Sequence, residues 1–198
     1  LPHTPTDDRA ALPASVKAEF LHAWNGYKKY AWGHDDFDPV SKKRRDWYPP
    51  ELIYMTPVDS LDTMLIMGLK EQAAEAQAII LEKLSFDKDI SVQLFEVNIR
   101  ILGGLLSAYE MTGEKRFLTL AEDLGRRLLP AFKSKTGMPY RYVNLRTGAV
   151  RDGVRVMLAL PSGAAPLAAD VAGRTRRPCR PWPTARRISP VLDRDPIC

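Results

Sequence analysis

LFEVNIRILGGLL, at Leu94–Leu106, combines a dense apolar run with two opposite charges. Glu96 and Arg100 are four residues apart, so on a helix they lie on one side, one turn from each other. Gly103 and Gly104 each disfavour a helix by on the order of 1 kcal/mol relative to alanine, which predicts a neighbour packed closely against this backbone. The charged pair has two interpretations. It is either a structural salt bridge at a helix interface or a carboxyl group held in a pocket for acid or base chemistry.

Apolar residues recur at helical spacing on both sides of this segment, and capping residues mark where helices begin. The predicted helices are Val16–Ala31 with Ser15 as its cap, Val58–Met67 with Thr56 as its cap, Lys70–Leu84, Val92–Met111 with Asp89 or Ser91 as its cap, and Lys115–Leu128 after Glu114. Short connections between helices make sequential neighbours antiparallel αα-hairpins. The sequence therefore predicts an all-α domain.

The segments between the helices are predicted to be irregular. We expect residues 1–14 to be an irregular lead-in, and the basic run Lys42–Arg45 to lie in a solvated loop. Turn residues flank a short Tyr/Val-rich run at 136–148, which fits either a loop or a small hairpin. At the start of the second helix, Pro57 occupies the first position and Asp59 faces the free N–H groups of the first turn. Asp59 and Asp62 form a weak metal pair, and capping or a buried polar role is the better interpretation.

The composition bounds the class of protein. The 198 residues are 45% hydrophobic and carry a net charge of +5. No window approaches ~18 uninterrupted apolar residues, so the sequence predicts no transmembrane helix. It also predicts no signal segment at the start, and Leu1, which is no initiator, indicates a mature or excised form. The two cysteines, Cys179 and Cys198, lack metal-ligand spacing.

The amino-acid composition of the chain changes near Gly153. The segment Gly153–Cys198 holds eight Arg, no Lys and seven Pro in 46 residues, without Glu, Asn, Gln, His, Phe or Tyr. Repeated proline forbids a long helix, so this segment is predicted to be a disordered or non-native tail. A shifted frame or a read-through intron in a GC-rich gene gives such a composition, and a continuous native frame in the transcript across codons 148–156 would contradict that hypothesis. Because the excess Arg lies there without aromatic interleaving, a nucleic-acid partner is not expected.

Several long segments in their order along the chain resemble the class I α-1,2-mannosidases of glycoside hydrolase family 47, in the form found in the endoplasmic reticulum and Golgi. They are Phe20–Asp35, Val58–Thr63, Ile66–Leu69, Leu94–Tyr109, Arg126 with Leu128–Phe132, and Val143–Gly148. The resemblance covers about residues 15–152 and stops at the compositional break. The domains predicted are therefore a lead-in (1–14), the N-terminal part of a mannosidase catalytic domain (15–152) and the tail (153–198).

The resemblance implies a fold and an activity. The family fold is an (αα)7 barrel, of which this chain would form the first hairpins. Family members remove terminal α-1,2-linked mannose from high-mannose N-glycans with inversion, and they require Ca²⁺. In the family's Leu-Phe-Glu-x-x-Ile-Arg motif the acid, here Glu96, is the proton donor, and the arginine, here Arg100, lies in the sugar-binding cleft. The resemblance places the chain in the lumen of the secretory pathway. It is also compatible with a parent protein that is anchored to a membrane.

An inverting glycosidase needs a second carboxylate, about 6.5–9.5 Å from the acid, to activate water. By the resemblance, that carboxylate and the calcium-binding threonine belong to later parts of the family sequence, so no metal ligand is assigned in this chain. We expect little or no hydrolase activity and weak folding from these residues alone. Two alternatives stay open: a non-catalytic glycan-binding helical module using Arg100, Trp24, Trp32, Trp47 and Tyr48, or a defective gene product with no function.

Overall fold

The computed structural model describes residues 12–135 and 138–151. The helices are α1 (Leu12–Ala31), α2 (Met55–Ile66), α3 (Lys70–Lys83), α4 (Leu94–Glu96), a π-helical segment (Val97–Leu102), α5 (Gly103–Thr112), α6 (Lys115–Leu128) and a 3₁₀ turn (Leu129–Phe132). The strands are β1 (Asp36–Asp38), β2 (Lys43–Arg45), β3 (Ser91–Gln93), β4 (Tyr142–Asn144) and β5 (Val150–Arg151). The described part is helix-rich, as predicted, with two small antiparallel sheets, of which the prediction had allowed only a hairpin at 136–148.

The first helix begins earlier than predicted. α1 already includes Leu12, so Ser15 lies inside the helix and does not cap it, and residues 12–14 do not belong to an irregular lead-in. Pro13 in the first turn explains the difference, because proline is tolerated where its missing N–H has no helical partner. The predicted end at Ala31 is confirmed. The buried Trp24 and Tyr27 pack with Trp32 in an aromatic cluster with ring centroids 5.3–6.0 Å apart.

The basic run does not lie in an irregular loop. Asp36–Asp38 and Lys43–Arg45 form an antiparallel hairpin, with Phe37 opposite Arg44. The side chain of Arg45 pairs with Asp36 across the hairpin. Three-residue strands are too short to show period-two alternation, which is why the pattern of apolar residues gave no signal here.

The start of α2 also differs from the prediction. The helix begins at Met55, and Tyr54 occupies the cap position with φ of +53° and no side-chain cap. Thr56 does not cap the helix, because its hydroxyl donates to the carbonyl oxygen of Asp35 (2.7 Å). Pro57 is consequently the third helical residue, and Asp59 is directed to Arg100. Long-range hydrogen bonds have replaced the local cap that the sequence suggested.

The segment 91–112 combines a strand with an interrupted helix. Ser91–Gln93 is β3, so the predicted helix Val92–Met111 begins two residues late, at Leu94, and neither Asp89 nor Ser91 caps it. Backbone angles stay helical from Glu96 through Gly103, but the N–H of Gly103 reaches the carbonyl of Asn98, five residues back. The helix therefore widens to π geometry between the acid and the glycine pair.

The run at 136–148 contributes to a three-stranded sheet of order β3-β4-β5. Val143 of β4 pairs with Val92 of β3 and with Val150 of β5. The hairpin alternative was thus the correct one for the described residues, and its buried Val143 joins the core. The short sheet fixes the chain directly before α4.

The helices Lys70–Leu84 and Lys115–Leu128 are confirmed within one residue of their predicted bounds. α2 packs against α3 and α5, and α5 packs against α6, so elements close in sequence are neighbours in space. Their buried faces share one apolar core, whose fully buried members include Phe86, Phe117, Leu61, Ile101 and Leu124. None of the helices in the part described here is long and apolar enough to cross a membrane. The predicted tail 153–198 and most of the lead-in lie outside the described residues.

Gly104 marks the closest approach of α5 to α2. A Cβ added at this glycine would lie 2.9 Å from both the carbonyl oxygen and a methyl carbon of Val58. Real Cβ contacts are longer than this, and the carbonyl cannot move without shifting α2. A Cβ added at Gly103 would meet nothing closer than 3.7 Å. The expected close packing is therefore confirmed for Gly104, and Gly103 is not part of it.

The two adjacent glycines form a matched pair for a stability test. We expect Gly104→Ala to lower the free energy of unfolding by about 1–3 kcal/mol, as overpacking does. We expect Gly103→Ala to raise it by up to about 1 kcal/mol through helix propensity. Urea unfolding followed by circular dichroism measures both changes, and an equal response at the two positions would contradict the assigned contact.

Glu114 is the N-cap of α6, directly before the predicted first residue Lys115. Its side chain accepts hydrogen bonds from the Arg116 guanidinium (3.0 Å) and from the Arg116 N–H (3.1 Å). These bonds, the guanidinium first, lower the pKa of Glu114 from its ordinary value near 4.5 to about 2. A carboxylate whose pKa is lower in the folded state adds stability above its unfolded pKa and loses that contribution as pH falls.

We expect Glu114→Gln to lower the unfolding midpoint at pH 7, where the wild-type cap is charged. The difference between wild type and variant should shrink as pH falls from about 4.5 towards 2. Thermal unfolding of both proteins across that pH range measures it. A difference that stays constant with pH would show that the charged cap contributes nothing.

Candidate functional site

Glu96 and Arg100 form the predicted pair at the start of the interrupted helix. The Nε–H of Arg100 donates to Oε2 of Glu96 at 2.8 Å. The side chain of Glu96 is 22% exposed and that of Arg100 is 38% exposed, so the pair lies at the surface of the described residues with the acid the more enclosed. The first turn of α4 carries Glu96, and the π-helical segment carries Arg100.

A second carboxylate from α2 reaches the same guanidinium. Nη1 of Arg100 donates to Oδ2 of Asp59 at 2.7 Å. The hydrogen bonds to Glu96, first, and to Asp59 raise the pKa of Arg100 further above its already high ordinary value. With two carboxylates on one guanidinium, the three side chains carry one excess negative charge when all are ionised. This arrangement favours a cationic or hydroxyl-rich ligand over an anionic one.

Trp47 and Tyr48 border the site from the loop between β2 and α2. The guanidinium carbon of Arg100 lies 5.8 Å from the ring centroid of Trp47. The hydroxyl of Tyr48 accepts the N–H of Gln93 at 3.1 Å. Burial raises the pKa of Tyr48, and the negative charge of Glu96 is among the smaller contributions in the same direction. Both aromatic side chains are half-buried, so another element covers part of each.

The backbone directly before Glu96 is fixed on both sides. The N–H of Leu94 donates to the carbonyl of Arg141 at 2.9 Å, and β3 pairs with β4 over residues 91–93. Leu94 itself is buried. The acid therefore projects from a helix start that cannot slide along its axis, which is a requirement for a positioned proton donor.

The described residues bring no metal-ligand cluster together at this acid. A cavity of about 190 Å³ lies between α1, β1 and α2, lined by Trp24, Tyr27, Phe37 and neighbours, and neither Glu96 nor Arg100 lines it. Over residues 12–135 and 138–151, no three His, Cys, Asp or Glu side chains come together to hold an ion. Asp59 is engaged by Arg100 and does not pair with Asp62 as a ligand, so these residues do not fit a calcium site and no chemical step is derived through one.

Sequence reasoning found Glu96 and Arg100 but missed the third charge. Asp59 was assigned to the first turn of α2, yet it is the second partner of Arg100. The signal available was its position beside Val58, the residue that Gly104 contacts, but that contact is known only from the fold. Trp47 was counted among candidate glycan contacts, whereas Trp24 of the same set is buried and only 3% exposed.

The structure is similar to a solved α-1,2-mannosidase from Trichoderma reesei, with a TM-score of 0.63 and 30% sequence identity. The matched part is 71% of this chain and 32% of that one. The fold is accordingly that of the helical portion of an α-1,2-mannosidase.

Sequence comparison gives the family. The sequence model of glycosyl hydrolase family 47 matches residues 19–165, past the compositional break at Gly153. The human endoplasmic reticulum mannosyl-oligosaccharide 1,2-alpha-mannosidase is 51% identical over 129 residues, and a mannosyl-oligosaccharide 1,2-alpha-mannosidase of Arabidopsis thaliana is 46% identical over 147 residues. The chain belongs to glycosyl hydrolase family 47. Its match spans 65% of this chain but only 18% of the human relative, and 74% of this chain but 26% of the Arabidopsis one.

Proposed function

We propose that this chain supplies the proton-donor part of an α-1,2-mannosidase, which acts on high-mannose N-glycans in the secretory pathway. The observation that carries the proposal is Glu96, an acid fixed at a helix start and partly enclosed, in a chain that belongs to the family. The names of the human and fission yeast relatives, both endoplasmic reticulum mannosidases, support that compartment.

In the proposed reaction the protonated Glu96 donates its proton to the glycosidic oxygen as the bond from that oxygen to the anomeric carbon breaks. A second carboxylate, which the resemblance assigns to later parts of the family sequence, takes a proton from the water that attacks the opposite face, so the configuration inverts. Arg100 presents N–H donors to sugar hydroxyls, and its guanidinium lies beside the Trp47 ring and pairs with Asp59.

The described hairpins are proposed to be the first part of an (αα)7 barrel. The packing of α2 on both α3 and α5 supports this arrangement. Exposed apolar side chains on α2 and on the π-helical segment, among them Ile66 (76% exposed) and Ile99 (41% exposed), are the contacts that further hairpins would cover. The calcium requirement belongs to the whole domain in this proposal, because the described residues hold no ligand cluster for it.

A second candidate function is glycan binding without hydrolysis. The exposed Arg100 beside the Trp47 ring is a surface of the kind that binds sugars, with hydrogen-bond donors next to an aromatic face. Binding of α-1,2-mannobiose that shifts the resonances of these two residues, with no mannose released, would favour this candidate. Of the other aromatic residues first considered, Trp24 is too deeply buried to contribute.

We expect the 198-residue chain to release no measurable mannose from a high-mannose glycan, with or without a calcium chelator, because the carboxylate that would activate the attacking water belongs, by the family resemblance, to later parts of the family sequence. Mass spectrometry of the glycan after incubation measures this. Chelator-sensitive release of mannose by the chain would contradict the expectation.

Residues 15–151 placed in the corresponding position of the human relative should restore activity to the composite enzyme. In that background we expect Glu96→Gln to reduce kcat about 10²–10⁴-fold, the range of general acid catalysis. Glu110→Gln, an exposed acid on α5, is the matched control and should leave the rate unchanged. Equal rates for the two variants would remove Glu96 from the mechanism.

A further inference from the structure

Asp35 is a charged residue that is completely buried, with 0% of its surface exposed. It follows α1 by four residues and lies outside every contact made by Glu96 or Arg100. A buried carboxylate is unfavourable unless hydrogen bonds satisfy it, and burial raises the pKa of Asp35. Its hydrogen bonds therefore show which parts of the chain it holds together.

Both carboxylate oxygens accept backbone N–H groups from the loop that precedes α2. Oδ2 accepts from Trp47 at 3.0 Å, and Oδ1 accepts from Ile53 at 2.8 Å and from Met55 at 3.4 Å. The main-chain carbonyl of Asp35 accepts both the N–H (2.9 Å) and the hydroxyl (2.7 Å) of Thr56. One residue thus fixes the whole loop from Trp47 to the first turn of α2.

Two contacts of Arg100, besides Glu96, come from residues at or next to the two ends of that loop. Trp47 lies under its guanidinium, and Asp59, one turn beyond Met55, accepts its Nη1–H. Ion pairs at 38–39% exposure contribute little on their own and do not hold a long side chain in one position. The backbone that carries those partners must itself be fixed, and Asp35 fixes it at both ends.

Tyr54 gives independent support. Between Ile53 and Met55, it is held at φ +53°, ψ +45°, a conformation that non-glycine residues rarely adopt. The two N–H groups on either side of it both point at Oδ1 of Asp35. Strain of this kind persists only where the surroundings impose it.

We propose that Asp35 is a positioning residue for the Glu96–Arg100 site, acting through Trp47 and the first turn of α2. A carboxylate is required because it only accepts, and at least three donors converge on it. An asparagine of the same size would present an N–H₂ group to one of these donors. The role assigned to the site rests on the proposed function, but the arrangement itself can be tested without any substrate.

The test measures the hydrogen bond between Arg100 and Glu96 directly. In the ¹⁵N-arginine-labelled chain, the Nε–H resonance of Arg100, assigned by its loss in Arg100→Lys, should exchange slowly with water. In Asp35→Asn we expect that exchange to accelerate by about tenfold or more, as the guanidinium is released. A resonance that stays protected in folded Asp35→Asn would overturn the proposal.

A matched control separates positioning from general loss of stability. Ile80→Ala removes buried volume from α3, outside the hydrogen-bonded chain from Asp35 to Arg100. Compared at equal stability in urea, it should leave the Arg100 exchange rate within about twofold of wild type. Acceleration equal to that in Asp35→Asn would show a merely structural role and would also overturn the proposal.

A milder variant covers the case in which Asp35→Asn does not fold. Thr56→Val removes only the hydroxyl bond to the Asp35 carbonyl and keeps the side-chain volume. We expect about threefold faster exchange at Arg100 Nε–H, and no change would contradict the proposal. The experiment measures a hydrogen bond and not turnover. Its result therefore tests the positioning role of Asp35 whether or not the chain binds a mannoside.

Discussion

The contact between Gly104 and the backbone of Val58 sets the distance between the two helices that make the site. With a Cβ at position 104 the helices would have to separate, because the Val58 carbonyl oxygen would lie only 2.9 Å from it. Asp59 follows Val58 directly, and Arg100 lies one turn before Gly104. The charged contact across the helices at 2.7 Å therefore depends on an uncharged contact beside it.

The strong and weak interactions at this site have different roles. Exposed ion pairs contribute about 0–1 kcal/mol each, so the three charged side chains do not determine where their helices lie. Packing of the apolar core determines the position of the helices. The buried carboxylate of Asp35 determines the position of the loop before α2. Such a group stabilises a structure only when its donors are already in place, so the loop and the core must form together.

The helices and the first acid could be predicted from sequence, whereas the connections could not. Two local signals were present in the sequence: the i, i+4 spacing of Glu96 and Arg100, and Gly104. In the structure Glu96 pairs with Arg100, and Gly104 makes the close helix contact. The strands at 36–38 and 91–93 are three residues long, too short for alternation to appear. α2 begins at Met55 and not after Thr56, because a residue twenty positions earlier supplies its hydrogen bonds. Whether Glu96 acts as the proton donor stays a prediction.

The π-helical segment Val97–Leu102 separates two requirements that a regular helix would tie together. On its C-terminal side, Gly104 packs against the backbone of α2. On its N-terminal side, the helix start is held by the strand at 91–93. The π-helical hydrogen bond spans one residue more than an α-helical one. Each residue of an α-helix turns the chain by about 100°, so this extra residue changes the direction of Glu96 relative to Gly104. Removing one residue from the segment would give a more regular helix whose acid faces a different direction. The arrangement of Glu96 and Arg100 thus depends on chain length between two fixed points as much as on the identity of the side chains.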